Sequence, residues 1–176
     1  MLVFGYGSLI WDGWQNTEGR RCLRALPAEL PGYRRVFNKK SVQNWGTRAK
    51  PCPTLNLEAA ASASCRGMAF EFQSNAWFIG EMLLYLRRRE ACEPQELPIR
   101  IKGVGATRAL VYIHAGANLL REQLTAEQLA DMAVVATEGE SGLCVNYIKT
   151  LAEKLAALGI DDPAVVELWR AVKVIS

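Results

Sequence analysis

The chain has 176 residues, half of them hydrophobic and 22% charged, which suits one folded domain with a sizeable core and argues against long disorder. Its formal net charge of +3 is too small to mark a nucleic-acid binder by itself. No apolar run approaches the ~18 residues of a membrane span, and the N-terminus carries no basic leader, so neither a transmembrane helix nor a secretory signal is expected.

Residues 1–4 read as a short buried strand that Gly5 ends. Directly after it comes Gly5-Tyr6-Gly7-Ser8-Leu9. Two readings are open here. One is a tight strand-end turn. The other is a cradle whose backbone N–H groups converge on an anion, with glycine permitting positive φ and close approach. The pattern lacks the third glycine of a dinucleotide fingerprint and is neither a P-loop nor a nucleophile elbow.

The stretch "GWQNTEGRR" reads as loop. From Arg21 to Phe37, breaks at Pro27, Pro31 and Gly32 suggest two short strands meeting at "LPGYRRVF". The polar stretch "NKKSVQNWGTRAKPCPT" reads as a long surface loop, of the kind that is often functional. "TLNLEA" and "CRGMAFEF" then read as a pair of strands separated by "AAASAS".

Ser74 or Asn75 caps a helix running to about Arg89. Phe78, Ile79, Met82, Leu83 and Leu86 form its core-facing stripe, and Glu90 continues that stripe while the three arginines before it turn away or to its edges. A carboxylate there meets desolvation and the negative end of the helix dipole. Both raise its pKa, as a general acid/base requires. The competing reading is a frayed helix end with Glu90 paired to an arginine.

"LPIRIKGVGATRALVYIHAG" reads as a hairpin turning at residues 103–105. Thr125 caps a helix, with Gln128 at the capping-box position. Ser141 starts another, which Gly159 ends, and Asp162 caps a last helix that has Pro163 at its first position. Tyr147 shares a face of the helix after Ser141 with Leu143, Ile148 and Leu151. It reads either as a core-edge tyrosine or as a phenol touching a ligand. Strands first and helices last point to an α+β fold with no second domain.

The five cysteines, Cys22, Cys52, Cys65, Cys92 and Cys144, are scattered and show no C-x-x-C spacing. Reduced thiols in the cytoplasm are expected rather than a metal site or a disulfide framework. The single histidine, His114, is assigned no role. Arg34-Arg35 and Arg87-Arg88-Arg89 read as solvated faces or salt-bridge partners.

"VFGYGSLIW", "GYRRVF", "RGMAFEF", "YLRRRE" and "SGLCVNYIKTLAEKLAALGIDDP" occur in that order along nearly the whole chain. In this the sequence resembles the γ-glutamylcyclotransferase family, closest to its ChaC-like branch. The resemblance implies a single domain over residues 1–176, built as a small mixed β-barrel flanked by helices. It implies a reaction in which the α-amino group of a γ-glutamyl unit attacks its own γ-carbonyl, releasing 5-oxoproline and an amine. No metal or organic cofactor is needed. The substrate is a small γ-glutamyl molecule; no nucleic acid or membrane partner is implied, and the oligomeric state is left open.

On this reading Glu90 is the catalytic acid/base. Tyr6, Gly7, Ser8 and Leu9 hold the γ-glutamyl group through the backbone, and Tyr147 touches the substrate. The sequence departs from the ChaC-like pattern in three places. "ACEPQE" follows Glu90 in place of Lys-Gly-Gly-Tyr, "NKKSVQNWGT" differs from the usual segment, and Cys144 stands where that pattern has an asparagine. Specificity for glutathione is therefore not carried over. The alternative is a non-catalytic module that binds γ-glutamyl ligands in the same pocket.

Overall fold

The computed structural model describes residues 1–16 and 21–176; part of the "GWQNTEGRR" segment thus lies outside the described residues. The described strands are β1 (Leu2–Gly5), β2 (Arg24–Ser41), β3 (Cys52–Glu71), β4 (Pro94–Ile101) and β5 (Gly105–Tyr112). They close into a barrel in the order β1-β3-β2-β4-β5. β1 pairs antiparallel with β3, β2 with β4 and β4 with β5, whereas β1 and β5 run parallel with Val3 opposite Leu110. The described helices are α1 (Ala76–Glu90), α2 (Ala126–Val135), α3 (Cys144–Ala157) and α4 (Pro163–Ile175). This is the expected class, a mixed barrel with helices.

Two strands are longer than the sequence suggests. β2 runs unbroken through Pro27, Pro31 and Gly32 because Gly32 takes φ +79°, a left-handed conformation that lets the strand bend without ending. β3 continues through "AAASAS" as one 20-residue strand. Its small side chains are largely exposed there, so nothing but cross-strand pairing identifies the segment as strand. The hairpin after α1 is as expected, with Pro94 to Ile101 of β4 facing Tyr112 to Gly105 of β5.

The chain forms two compact units. The first comprises Met1–Arg34 and Leu57–His114. Its core joins Val3, Leu9, Trp14, Phe70, Phe72 and Tyr112 to the α1 stripe Phe78, Met82 and Leu86. The alternation of a strand sends the intervening residues Phe4, Ala69, Ala109 and Val111, all buried, to the barrel's other face. Asn75 caps α1 by accepting from the Phe78 N–H at 2.9 Å, an interaction worth about 1 kcal/mol.

The second unit comprises Arg35–Asn56 and Ala115–Ser176. Thr125 and Gln128 form the expected capping box on α2. α3 begins at Cys144, three residues beyond Ser141, with Leu143 as its N-cap. Asp162 occupies the N-cap position of α4 but makes no side-chain cap. Its carboxylate pairs instead with Arg35 at 3.0 Å, where the arginine side chain is 1% exposed. A buried guanidinium takes the carboxylate because leaving it unpaired would be far more costly than one uncapped N–H.

The loop after β2 is shorter than expected and tied down. Ser141 N–H bonds to Asn44 O at 2.7 Å and Glu140 N–H to Gln43 O at 2.9 Å. The expectation of five reduced thiols is overturned: Cys52 and Cys144 form a disulfide, with Cα atoms 5.4 Å apart. The fold brings the first residue of β3 to the first residue of α3, a proximity that a separation of 92 residues hides. Cys22, Cys65 and Cys92 are free.

Candidate active site

The turn after β1 is built by its own backbone and by a tryptophan. Ser8–Ile10 is a 3-10 turn, and Ile10 N–H bonds to Gly7 O at 2.9 Å. The ladder starts there, so the N–H groups of Ser8 and Leu9 precede it and take no part in it. Trp14 Nε1 donates to Leu9 O at 2.8 Å from a fully buried ring packed on Phe70, Phe72 and Tyr85. That bond fixes the orientation of the Leu9 peptide. The Leu9 side chain itself lies in the core, so only its backbone is left to face a ligand.

Neither Gly5 nor Gly7 adopts positive φ; Gly7 sits at φ −126°. Glycine is used for close approach: a Cβ on Gly5 would stand 2.9 Å from the Phe70 ring, and one on Gly67 would stand 2.3 Å from Gly5 O. Tyr6 is buried, and its hydroxyl donates to Tyr112 O at 2.8 Å, tying the turn to the end of β5.

α1 delivers the carboxylate. The helix does not fray; it runs to Glu90 and closes with Ala91 in the left-handed conformation, φ 55°, whose N–H bonds to Arg87 O. Phe78, Met82 and Leu86 are buried as the stripe predicts. Glu90 follows on it with its side chain 17% exposed. Yet Glu90 is not an isolated carboxylate, because Arg89 Nε donates to its Oε1 at 3.0 Å.

Arg89 is the residue that sequence reasoning missed. The same guanidinium donates through Nη2 to the Ser8 hydroxyl at 3.2 Å and to Asp12. One planar donor group therefore joins the turn to the carboxylate, which suits the fixed fork geometry of arginine. Burial opposes its charge, but the Glu90 and Asp12 carboxylates outweigh that and hold its pKa above the ordinary arginine value. The available signal was Asp12, an acidic residue just past the turn that needs a cationic partner.

The other basic residues of these clusters are mostly spent on ion pairs: Arg34 with Glu58 at 2.6 Å and Arg87 with Glu93 at 2.7 Å. Tyr147 lies in the second unit, buried in α3. Its hydroxyl accepts from Leu55 N–H at 3.1 Å, and its ring packs on Trp45 with centroids 5.3 Å apart. Within the first unit Arg89 thus joins Ser8 of the Tyr6-Gly7-Ser8-Leu9 turn to Glu90, while the described contacts of Tyr147 are with Leu55 and Trp45.

A ChaC-like protein family model matches residues 1–175. Gamma-glutamylcyclotransferase 2-3 of Arabidopsis thaliana is 33% identical over 183 residues, covering 98% of this chain and 88% of that protein. The glutathione-specific gamma-glutamylcyclotransferase of Escherichia coli (strain K12) is 25% identical, covering 97% of this chain and 72% of that protein. The fold is also that of the crystal structure of a yeast gamma-glutamyl cyclotransferase specific to glutathione. That match has a TM-score of 0.82 at 19% identity, over 99% of this chain and 96% of the yeast one. The chain belongs to the ChaC-like γ-glutamylcyclotransferase family.

Proposed function

We propose that this chain, acting as one domain, releases 5-oxoproline from a γ-glutamyl peptide, amino acid or amine, with Glu90 as general acid/base. The observation that carries the reading is the Arg89 guanidinium shared by Ser8 and Glu90. It joins the turn that would hold the γ-glutamyl group to the carboxylate that would move its protons.

The carboxylate takes a proton from the substrate's α-ammonium group. The freed amine attacks the γ-carbonyl carbon, and the carbonyl electron pair moves onto oxygen. Collapse of that oxyanion breaks the bond to the leaving nitrogen, which receives the proton from Glu90; the ring nitrogen then gives its surplus proton to the regenerated carboxylate, which passes it to the departing amine. One residue serves as base and then as acid. The reaction is a lyase-type release that draws on proton transfer and orientation. Folding the flexible γ-glutamyl chain for ring closure is the kind of orientation effect that supplies several kcal/mol, roughly 7–11 in the best intramolecular cases.

Within this reading, Gly7, Ser8 and Leu9 present backbone N–H groups to the substrate, and Tyr6 contributes its backbone because its hydroxyl is bonded to Tyr112 O. Tyr147 is assigned a substrate contact on the resemblance. Glutathione is a candidate substrate because two similar proteins are named as specific for it. The altered segment after Glu90 favours a panel over a single compound. The proposed setting is the cytoplasm; no described helix is long and apolar enough to cross a membrane.

The test is a mass-spectrometric screen for 5-oxoproline against glutathione, γ-glutamyl dipeptides and γ-glutamylamines. Formation from at least one class is expected. Binding of γ-glutamyl compounds with no 5-oxoproline from any of them would establish the non-catalytic module instead.

A further inference from the structure

Tyr112 ends β5, and two registers fix its place. Val3 faces Leu110 across the parallel β1–β5 pair, which brings Gly5 level with Tyr112, two residues further along each strand. On its other side Tyr112 pairs with Pro94 of β4, four residues beyond Glu90. The residue therefore stands between the start of the substrate turn and the segment that leaves the catalytic carboxylate.

Its side chain joins the core that α1 covers, with Leu9 and Leu86 in the same cluster and Tyr85 and Cys92 packed against it. It is 1% exposed, yet its hydroxyl makes no hydrogen bond among the described residues. The Tyr112 carbonyl, by contrast, is engaged by Tyr6.

A buried hydroxyl left unpaired is costly, and phenylalanine would fill the same space without that loss. Native structures pair nearly all such groups, so an exception calls for a use. Burial first and the Glu90 carboxylate second push the Tyr112 hydroxyl well above the usual tyrosine pKa. The group is thus kept protonated, as a donor.

We propose that the Tyr112 hydroxyl is a further catalytic residue, which donates a hydrogen bond to the γ-carbonyl oxygen of the substrate as negative charge develops there. This rests on the cyclotransferase reading above. When the α-amine attacks the γ-carbon, the π pair of the carbonyl moves onto oxygen, and the phenol stabilises it by hydrogen bonding without giving up its proton. Glu90 already holds the proton taken from the α-ammonium group, so the oxyanion does not face a second negative charge. When the oxyanion collapses, the bond to the leaving nitrogen breaks, that nitrogen takes the proton from Glu90, the ring nitrogen's surplus proton follows through the regenerated carboxylate to the departing amine, and Tyr112 is unchanged.

The experiment compares wild type with Tyr112→Phe on whichever substrate the wild type cyclises best. The expected result is a fall in kcat of about 10²–10³-fold, the size of effect seen when one such donor is removed. KM should change little, and the thermal denaturation midpoint should be unchanged or higher, since the variant sheds an unpaired buried hydroxyl. A merely structural tyrosine would leave kcat intact. An active wild type with an equally active Tyr112→Phe overturns this role alone. A lowered denaturation midpoint overturns the premise that the hydroxyl has no partner. A wild type that forms no 5-oxoproline from any substrate overturns the activity itself, a result that cannot be mistaken for the first.

Discussion

Arg89 donates to the hydroxyl of Ser8 at 3.2 Å across 81 residues of chain. Through its Nε the same side chain holds the neighbouring Glu90, and it also pairs with Asp12. The turn and the helix end are thus registered by one charged group rather than by packing alone. Replacing Arg89 with methionine keeps much of the side-chain volume and removes the charge-assisted bonds. A loss of about 1.5–3 kcal/mol for such bonds corresponds to roughly a 10–150-fold fall in kcat/KM. Arg89→Lys should recover only part of it, because an ammonium cannot span the same three acceptors.

The pH dependence of this network has a definite sign. Arg89 has its pKa raised in the folded protein, with Glu90 and Asp12 outweighing burial. Its contribution to stability is therefore complete below the unfolded arginine pKa and is lost only as pH rises through the folded one, at strongly alkaline pH. On the alkaline side of neutrality, between about pH 7 and 9, the stability difference between wild type and Arg89→Met should stay constant, as measured by denaturant titration. A difference that disappears within that window would contradict the network.

Gly67 supports the turn from behind. A Cβ there would come within 2.3 Å of Gly5 O and 2.9 Å of the Phe4 ring. Gly67→Ala has to displace β1, at a cost of about 1–3 kcal/mol for overpacking. Chemical denaturation should show that loss, and 5-oxoproline formation should fall with it, because the moved backbone carries the turn. An alanine variant with wild-type stability and activity would show that β1 yields freely.

Ala91 occupies the left-handed region directly after Glu90, at φ 55°. That conformation costs a non-glycine residue about 1–2 kcal/mol, partly offset by the greater unfolded-state freedom of glycine. Ala91→Gly is expected to raise stability by about 0.5–1 kcal/mol, read as a higher denaturation midpoint. A lower midpoint would mean that the Ala91 methyl group makes packing contacts that outweigh the relief.

The Cys52–Cys144 bond joins the start of β3 to the start of α3, three residues before Tyr147. Closing so long a loop is expected to add about 2–4 kcal/mol. Reduction, or the Cys52→Ser/Cys144→Ser double variant, should lower the denaturation midpoint correspondingly. Equal midpoints with and without reductant, in protein whose free-thiol count shows that the bond had formed, would contradict that contribution.

What could be read from the sequence was what depends on neighbours in the chain. The Asn75 cap with the Phe78, Met82 and Leu86 stripe, the Thr125–Gln128 box and the turn after Ile101 are all local signals, and the structure contains each of them. The lengths of β2 and β3 could not be read, because Gly32 accommodates a bend without ending its strand and residues 59–64 expose small side chains that resemble a loop.

The candidate site divides in the same way. Glu90 is visible from helical periodicity, and the opening turn from its glycines. Arg89 falls off the apolar stripe, so its tie to Ser8 depends on a contact that only the closed fold creates. Trp14, the anchor of the Leu9 peptide, reads from the sequence as one more loop residue. The Cys52–Cys144 pair and the buried Arg35–Asp162 pair are long-range in the same sense. Asp162 carries a correct local signal for a cap, and a tertiary charge takes its side chain away.

In the proposed reaction Glu90 transfers the protons of γ-glutamyl cyclisation. The most direct measurement is 5-oxoproline formation by Glu90→Gln against wild type on one accepted substrate, with folding checked by circular dichroism. The amide keeps the shape of the carboxyl group and removes its basicity, so kcat is expected to fall by at least about 10²-fold, the usual share of a general acid/base, with the fold unchanged. A folded Glu90→Gln protein that releases 5-oxoproline at the wild-type rate would contradict it.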